Sequence, residues 1–439
     1  MKARTVRTGK PNLAAAGLAL CLTTVTLTGC GAVSGLTGDN EVTLKVVAAD
    51  YGDKPENSSK PYWKELATAF EKRNPGIKVQ VDVYSWSEVD AKVAEMVKAG
   101  EAPDIAQIGA YADYAAEGKL YSADELLSVN TEADFLAPLA DAGKVRRNQY
   151  GLPFVASTRL MFYNEKLFAD AGIIPKDGKT RWQPKSWAEL EAAAKKLKAA
   201  GVPTPLALPL GREEAQAETM QWLLAGGGGY ADNEENYSID SADNVNTLEF
   251  LRDKLVGAGL TGPVEPAKLN RQDAFDSFAR GEVGMLNGHP TLLKQAAAKG
   301  VKYGMTPMPT ADGASHPTMG VADWVMAFKT AGHQTQSGKF LDFLYEANNV
   351  TTFTEKYDLL PVTTSGSRAM EAAQGASSAE LKTFLHALPN ARLYPVGKKS
   401  WAAVSEDVKK NIGKAVQPGG QPERILADIA EAGRKAEPR

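Results

Sequence analysis

Between residues 41 and 108, apolar residues recur with two different periods. Ile77, Val79, Val81 and Val83 alternate with polar residues, as in a half-buried strand, whereas helical spacing places Trp63, Leu66, Ala67 and Phe70 on one face. We therefore predict strands over Glu41–Ala49, Ile77–Tyr84 and Ile105–Ile108, with helices over Pro61–Arg73 and from Trp86 to Lys98. This β-α-β-α-β order predicts a parallel sheet with helices on its faces.

Ligands of such sheets bind beyond the carboxyl ends of the strands. The loops at those ends are Asp50–Asp53, Ser85–Ser87 and Gly109–Asp113. These loops are where the first part of the chain is expected to contribute to a binding site.

The stretch Gly151–Phe168 combines two strand-like runs with a helix start. Phe154–Ala156 and Leu160–Tyr163 are separated by Ser157-Thr158-Arg159, and Asn164 is placed to cap a helix that begins near Glu165. A strand interrupted by small polar residues can bend and change sheets. We expect the chain to pass from one lobe to another here, although an ordinary strand–loop–helix unit fits the pattern as well.

The rest of the chain continues the alternation of strands and helices. Ser186 is the expected N-cap of a helix over Lys185–Ala200, and the prolines of Pro203–Gly211 require loop or extended backbone. Gly226–Gly229 follows a helix and has no lysine, so it predicts a loop and not a phosphate cradle. Further helices are predicted at 214–225, 245–256, 270–280, 337–346, 401–413 and 422–435, and further strands at 284–287, 304–308 and 321–328.

The N-terminal segment has the pattern of an export signal. Four basic residues precede an apolar run, Leu13–Leu27, that ends in Leu27-Thr28-Gly29-Cys30. This ending resembles a bacterial lipobox, which implies cleavage before Cys30 and lipidation of its sulfur; a plain secretory signal with an incidental cysteine is the alternative. We expect a signal peptide at 1–29 and a lipidated, flexible tether at 30–40, which anchors an extracytoplasmic protein to the cell membrane.

Composition narrows the class of function. With 439 residues, 43% hydrophobic and 23% charged, the chain predicts a soluble protein of two domains. Removal of 1–29 would leave 46 basic against 53 acidic residues, which argues against a nucleic-acid partner and against electrostatic membrane binding. Cys21 and Cys30 are the only cysteines, so disulfide and thiolate chemistry are not expected in the mature chain.

Motifs of enzymes and metal sites are missing from the sequence. There is no H-E-x-x-H and no G-x-S-x-G, and the four histidines, at 289, 316, 333 and 386, are scattered. We expect no catalysis, no cofactor and no metal. A secreted glycoside hydrolase, which needs only two facing carboxylates, stays open as an alternative.

An ordered set of segments resembles a known family. It comprises YWKELATAFEKRNPGIKVQVDVYSW, KAGEAPDIAQIGAYADYAAEGKL, GLPFVASTRLMFYNEKLFADAGI, PKSWAELEAAAKKLKA, AFDSFARGEVGMLNG and MGVADWVMAF. These resemble the extracellular solute-binding proteins of sugar-type ABC importers, the maltose-binding-protein-like group. The resemblance implies a monomer with two α/β lobes, each a mostly parallel sheet flanked by helices, joined by two or three crossing segments. It also implies that a solute held in the interlobe cleft is delivered to an ABC permease.

By this resemblance the first lobe would comprise 41–157 plus 287–322, and the second 158–286 plus 323–439. The second crossing would lie at Gly284–Pro290 and the third near Gly320–Trp324. Many maltose-type members have N-G-x-W where this chain has Asn287-Gly288-His289-Pro290, and the missing tryptophan argues against a long maltodextrin site.

Candidate ligand-binding residues are aromatic and polar side chains near strand ends and crossings. Flat rings cover the C–H faces of a sugar, and polar groups pair its hydroxyls. The candidates are Trp86, Tyr111, Thr158, Arg159, Trp222, Asp323, Trp324, Arg392, Tyr394 and Trp401. Core packing is the alternative for Trp86, Tyr111 and Trp222, and an interlobe ion pair is the alternative for Arg159. The resemblance places a sugar-stacking aromatic near Trp401.

A non-sugar solute is a second hypothesis. Glycerol phosphate would require clustered arginines, for which Arg159 and Arg392 are the pair to examine. A polyamine or an osmolyte with a cationic group would require aromatic rings beside an acid, such as Trp324 with Asp323. The acidic loop at Arg212-Glu213-Glu214 either lines the cleft or faces water.

Overall fold

The structure, a computed structural model, describes residues 41–436 except 53–54, 87 and 233–235, and the side chains of 376–378 are not described. The predicted signal peptide, Cys30 and the tether lie outside the described residues. The strands are β1 (Val42–Asp50), β2 (Ile77–Ser85), β3 (Ile105–Gln107), β4 (Lys144–Val145), β5 (Asn148–Gln149), β6 (Leu152–Thr158), β7 (Leu160–Asn164), β8 (Thr204–Leu206), β9 (Val283–Gly288), β10 (Tyr303–Thr306), β11 (Thr318–Ala327) and β12 (Ala391–Arg392).

Helices fill most of the connections. The α-helices are α1 (Lys60–Arg73), α2 (Val89–Ala99), α3 (Ala112–Ala116), α4 (Ala123–Leu126), α5 (Val129–Asp134), α6 (Ala137–Ala142), α7 (Glu165–Asp170), α8 (Trp187–Ala199), α9 (Ala215–Ala225), α10 (Ala242–Phe250), α11 (Arg271–Ala279), α12 (Thr291–Ala298), α13 (Gln334–Leu344), α14 (Ala347–Tyr357), α15 (Thr364–Ala372), α16 (Ala376–Ala387), α17 (Trp401–Ala415) and α18 (Pro422–Ala436). A π-helical segment, Leu251–Val256, continues α10, and short 3-10 turns lie at Pro55–Asn57, Pro266–Lys268, Lys329–Ala331 and Leu388–Asn390.

The first sheet has the strand order β12-β11-β3-β1-β2, and β6 pairs with β11. β1 runs parallel to β2 and β3, as the alternating pattern predicted. β11 runs antiparallel to both β3 and β6, and parallel to β12. A long strand from late in the chain therefore completes a sheet that the first hundred residues begin.

The second sheet has the order β10-β7-β9-β8. Only β8 and β9 are parallel, whereas β7 is antiparallel to both β9 and β10. This sheet is mixed and not mostly parallel as expected, because β7 is not preceded by a crossover helix and continues directly from β6. The α/β class, with helices flanking two sheets, is confirmed.

Three connections carry the chain between the sheets. Arg159 alone separates β6 from β7, so the chain passes from the first sheet to the second within Gly151–Phe168, the stretch selected from the sequence. The second connection is the loop 307–317 between β10 and β11, and the third is 393–400 between β12 and α17. Thr318 Oγ1, directly after the second connection, donates to the carbonyl of Arg159 in the first connection at 2.9 Å. The Met319 amide joins β11 to α9 by donating to Gln221 Oε1 at 3.0 Å.

The later expected crossings differ from those observed. Residues 284–290 end β9 and lead through α12 back to β10 of the same sheet, and 320–324 lie within β11 of the first sheet. The expected boundary at 286/287 therefore falls inside the second sheet, and the boundary at 322/323 divides a strand. Helices α13 and α14 pack against the first sheet, so we propose lobes of 41–158 plus 318–392 and of 160–306 plus 401–436.

Each sheet has its own dense aromatic packing. Trp63 stacks on Phe154 at 5.5 Å between ring centroids below the first sheet. In the second core, Trp187 stacks on Phe250 at 4.4 Å. Local signals behave as predicted: Ser186 and Glu189 form a capping box at α8, and Asn164 Oδ1 accepts the Leu167 amide at 3.1 Å. No helix within the described part of the chain is long and apolar enough to cross a membrane.

Candidate functional site

A cavity of about 500 Å³ lies between the two sheets, among residues of both lobes. The first lobe contributes Trp86 after β2, the residues that follow β3, and Asp323 and Trp324 from β11. The second contributes Gln216 near the start of α9 and one face of α17. Of the predicted residues, the cavity brings together Trp86, Asp323, Trp324, Tyr394 and Trp401.

Aromatic rings form much of the cavity wall. Tyr394 stacks on Trp401 with ring centroids 5.1 Å apart and planes at 28°. The ring centroids of Trp324 and Tyr111 lie 5.9 Å apart. Trp86, which is 38% exposed, packs edge-to-face against Tyr51, with 5.5 Å between the ring centroids. Trp86 provides most of the accessible indole surface, because Trp324 and Trp401 are only 3% and 8% exposed.

Asp323 joins this wall to the core of the first sheet through a chain of hydrogen bonds. Tyr51 Oη donates to Asp323 Oδ2 at 2.6 Å, and Gln107 Nε2 donates to Tyr51 Oη at 2.6 Å. Gln107 Oε1 in turn accepts the Ala49 amide at 3.1 Å. Burial raises the pKa of Asp323 to about 6, although the Tyr51 hydrogen bond favours the carboxylate.

The third connection and α9 each supply one buried polar atom without a well-aligned hydrogen bond among the described residues. Tyr394 Oη and Gln216 Oε1 are buried, and neither has a hydrogen-bond partner among the described residues. The two side chains are neighbours, but their geometry falls short of an aligned hydrogen bond. A buried polar atom without a partner costs about 1–3 kcal/mol, so these atoms suit a polar solute or water.

Charged residues surround the cavity. Asp113 of α3, in the first lobe, lies 3.6 Å from Lys399 of the third connection. Asp90 Oδ1 accepts the Gly109 amide at 3.0 Å, and Glu406 of α17 pairs with Arg212. No arginine is among the residues that line this cavity within the described part of the chain.

The other five predicted residues lie outside the cavity. Tyr111 is buried behind Trp324, and Thr158 Oγ1 donates to the Phe384 carbonyl at 3.0 Å. Trp222 is buried in α9, where its Nε1 donates to Glu218 at 2.8 Å. Arg392 lines an adjoining cavity of about 290 Å³, which shares Tyr394 and Lys398 with the first.

Arg159 belongs to a buried polar cluster and not to the cavity wall. Its guanidinium lies 3.0 Å from Glu214 Oε1, and Glu214 also lies 2.6 Å from Arg271 Nε. Burial raises the pKa of nearby Glu218 to about 7, against the hydrogen bonds it accepts from Asn287 and Trp222. Burial and the charges of Arg159 and Arg271 hold the pKa of His289 well below its usual value.

Sequence reasoning missed two residues of this region, Tyr51 and Gln216. Tyr51 lies in a loop that the strand-end argument had selected, but its contact with Asp323 spans 272 positions of the chain. Gln216 follows the acidic loop Arg212-Glu213-Glu214, whose side chains form ion pairs, and no short motif distinguishes it from a helix-start residue.

Comparison with known proteins identifies the family to which this chain belongs. The family of bacterial extracellular solute-binding proteins matches residues 54–351, which is more than half of the chain. This chain belongs to the bacterial extracellular solute-binding proteins. The family assignment made from sequence is confirmed, and so is the role of a solute-binding component of ABC importers, which act outside the cytoplasm.

Individual members of the family are similar over most of the chain. A protein of Brucella abortus (strain 2308), described as a binding protein, is 28% identical, covering 88% of this chain and 91% of its own. The sn-glycerol-3-phosphate-binding periplasmic protein UgpB of Salmonella typhimurium is 27% identical over 68% of this chain and 70% of its own. The solved structure of the GacH receptor of Streptomyces glaucescens, described unliganded and with acarbose, has a TM-score of 0.71 at 23% identity, covering 90% of this chain and 98% of its own.

Proposed function

We propose that this solute-binding protein takes up a short carbohydrate in the cavity between its lobes and delivers it to an ABC permease. The observation that supports this most is the common lining of Trp86, Trp324 and Trp401 with Tyr394, because these rings come from both lobes. Rings would cover the C–H faces of a sugar, while Asp323, Gln216 and the Tyr394 hydroxyl would pair its hydroxyl groups.

The size of the cavity supports a short ligand. Small-molecule sites measure about 300–1,000 Å³ and enclose most of the ligand surface. A cavity of about 500 Å³ suits one to a few sugar rings. Pro290 stands where many maltose-type members have a tryptophan, which also favours a short ligand. Residues 394–398 lie between the two adjoining cavities, which favours a ligand that fits within one of them.

Binding and closure constitute the whole of the proposed action, without catalysis. A solute that contacts both lobes binds the closed arrangement more tightly than the open one, so it shifts the population towards closure. We further propose that the protein is a monomer and that a lipid on Cys30 anchors it to the outer face of the cell membrane, where the permease lies.

Tryptophan fluorescence titration tests the carbohydrate proposal. Mono- and oligosaccharides are titrated into the wild type, into Trp86→Phe, and into Trp182→Phe as a matched control away from the cavity. We expect a saturable change with at least one sugar, reduced in Trp86→Phe and kept in Trp182→Phe. If no sugar gives a saturable change, the carbohydrate proposal is wrong.

A glycerol phosphate is the second candidate, favoured by the relative that is named for binding sn-glycerol 3-phosphate. Phosphate sites in proteins favour arginine, but Arg159 is paired with Glu214 and Arg392 lies at the adjoining cavity. Saturation by sn-glycerol 3-phosphate that is lost in Arg392→Gln would establish this candidate. Turnover of a chromogenic glycoside would instead establish the hydrolase hypothesis.

A further inference from the structure

Among the described residues, Asp323 and Asp90 are the carboxylates of the cavity lining without a cationic partner, and Asp323, unlike Asp90, accepts no backbone amide. Its one hydrogen-bond donor among the described residues is the neutral Tyr51 hydroxyl, at 2.6 Å, and no lysine, arginine or histidine of that part of the chain lies within ion-pair distance. The carboxylate is partly buried in the wall between β11 and the loop after β1. A partly buried anion without a countercharge is costly to maintain, which suggests that its partner is supplied from outside.

Most of the other charged residues of the cavity lining have partners among the described residues. Asp113 faces Lys399, Glu406 pairs with Arg212 and Lys410, and Asp90 caps backbone amides after β3. Lys398 lies 5.0 Å from the centroid of the Tyr237 ring. Counting Lys409 as well, the lining holds four carboxylates and three lysines, so its formal charge is negative by one.

Three indole rings line the cavity together with Asp323, and Trp86 is the most exposed of them. Within the described residues, the cations that lie over aromatic rings do so at Phe275, Phe343, Tyr114, Tyr121, Tyr237 and Tyr357. None of those rings is Trp86, Trp324 or Trp401. Indole is the aromatic group that attracts cations most strongly, and the exposed ring of Trp86 lines the same cavity as the Asp323 carboxylate.

We propose that the carbohydrate bound here carries a basic nitrogen, as an amino sugar does, and that Asp323 and the cavity indoles hold its ammonium group. This inference rests on the proposed carbohydrate function and names the class of sugar. The ammonium would donate to the Asp323 oxygen that Tyr51 leaves free, while the pyranose ring covers a neighbouring indole face.

The titration of Asp323 supports the same assignment. Because burial raises its pKa to about 6, an appreciable fraction of the carboxyl groups is protonated at pH 6. A bound ammonium favours the carboxylate, so the binding of an amino sugar at pH 6 should release protons. The binding of a neutral sugar lacks this charge, so it should release few or none.

Paired ligands test the proposal by isothermal titration calorimetry. Glucosamine, galactosamine and mannosamine are compared with the parent sugars and with the N-acetylated forms, which keep the substituent but lose the charge. The proteins are the wild type, Asp323→Asn, and Asp124→Asn as a control of equal charge change on an exposed residue of α4. Titrations at pH 6 in buffers of different ionisation enthalpy report the protons released.

We expect at least one amine to bind the wild type about tenfold or more tightly than its neutral counterparts, with proton release at pH 6. The preference should vanish in Asp323→Asn and persist in Asp124→Asn. Tyr51→Phe keeps the carboxylate, so it should keep the preference and provides a second variant should Asp323→Asn fold poorly.

Different results would overturn different proposals. Neutral sugars that bind as tightly as the amines, or an amine preference that survives in Asp323→Asn, would overturn the amino-sugar inference alone and leave the carbohydrate function standing. If neither amines nor neutral sugars bind, the proposed carbohydrate function fails, and this inference fails with it.

Discussion

Replacing Asp323 by asparagine should stabilise the ligand-free protein at neutral pH. The folded structure raises the pKa of this carboxyl from 3.8 to about 6, so the folded state binds the proton more tightly than the unfolded state does. Below pH 3.8, Asp323 therefore costs the folded state no stability. Its cost in unfolding free energy increases between pH 3.8 and about 6 and is constant at higher pH. Above pH 6, a shift of about two units corresponds to about 3 kcal/mol.

The observed gain should be smaller than that limit. Asp323 is partly exposed to the cavity, and the asparagine amide must still be accommodated beside Tyr51, so we expect Asp323→Asn to gain about 1–3 kcal/mol at pH 8. At pH 4.5 most of the carboxyl groups of the wild type are protonated in the folded state, and the gain should fall to about 1 kcal/mol or less.

Urea denaturation of the wild type, Asp323→Asn and Asp124→Asn at pH 4.5 and pH 8 measures this difference. The transitions are followed by fluorescence and by circular dichroism, since coincident curves are needed to treat two lobes as one cooperative unit. A variant that is less stable than the wild type at pH 8, or a difference that does not change with pH, would refute the reasoning. Asp124→Asn should show neither effect.

Three further substitutions separate the cavity from the scaffold. Trp401→Ala removes the ring that stacks on Tyr394 and should weaken solute binding about ten- to a hundredfold by calorimetry, whereas an unchanged affinity would place the solute elsewhere. Arg159→Ala deprives Glu214 of one of its two arginines and should cost about 1–3 kcal/mol of unfolding free energy in urea, with an affinity within about twofold of wild type. A large loss of affinity without loss of stability would contradict its scaffold role. Ser186→Ala removes the N-cap of α8 and should cost about 0.5–2 kcal/mol in the same assay, and no change would indicate that water replaces the cap.

Much of the fold could be predicted because its signals are local. Asn164 and Ser186 cap the helices that their neighbouring sequence predicts, and the alternation of Ile77, Val79, Val81 and Val83 identifies an edge strand of the first sheet. The later crossings could not be predicted in this way. A strand followed by a loop and a helix looks the same whether the chain stays in its sheet, as it does after β9, or leaves it.

The candidate site shows the same division between local and distant signals. Trp86 was selected because it follows a strand, and it does line the cavity. Asp323 lines the cavity as well, but it was selected for a crossing that the structure does not have there, since it lies within β11. Trp222 carries an equally suitable side chain, but α9 is buried on nearly all sides, and Glu218 one turn earlier takes its indole N–H. Nothing in the local sequence distinguishes these two outcomes, because the deciding neighbours come from other parts of the chain.

The most direct test of the central claim is a crystal structure of the protein with its solute bound. If the solute binds in the cavity between the two lobes, as proposed, it should contact Trp86 and Trp401 together and place one of its polar groups at Asp323. A solute bound outside this cavity, or one that contacts a single lobe and leaves both tryptophans uncovered, would contradict it.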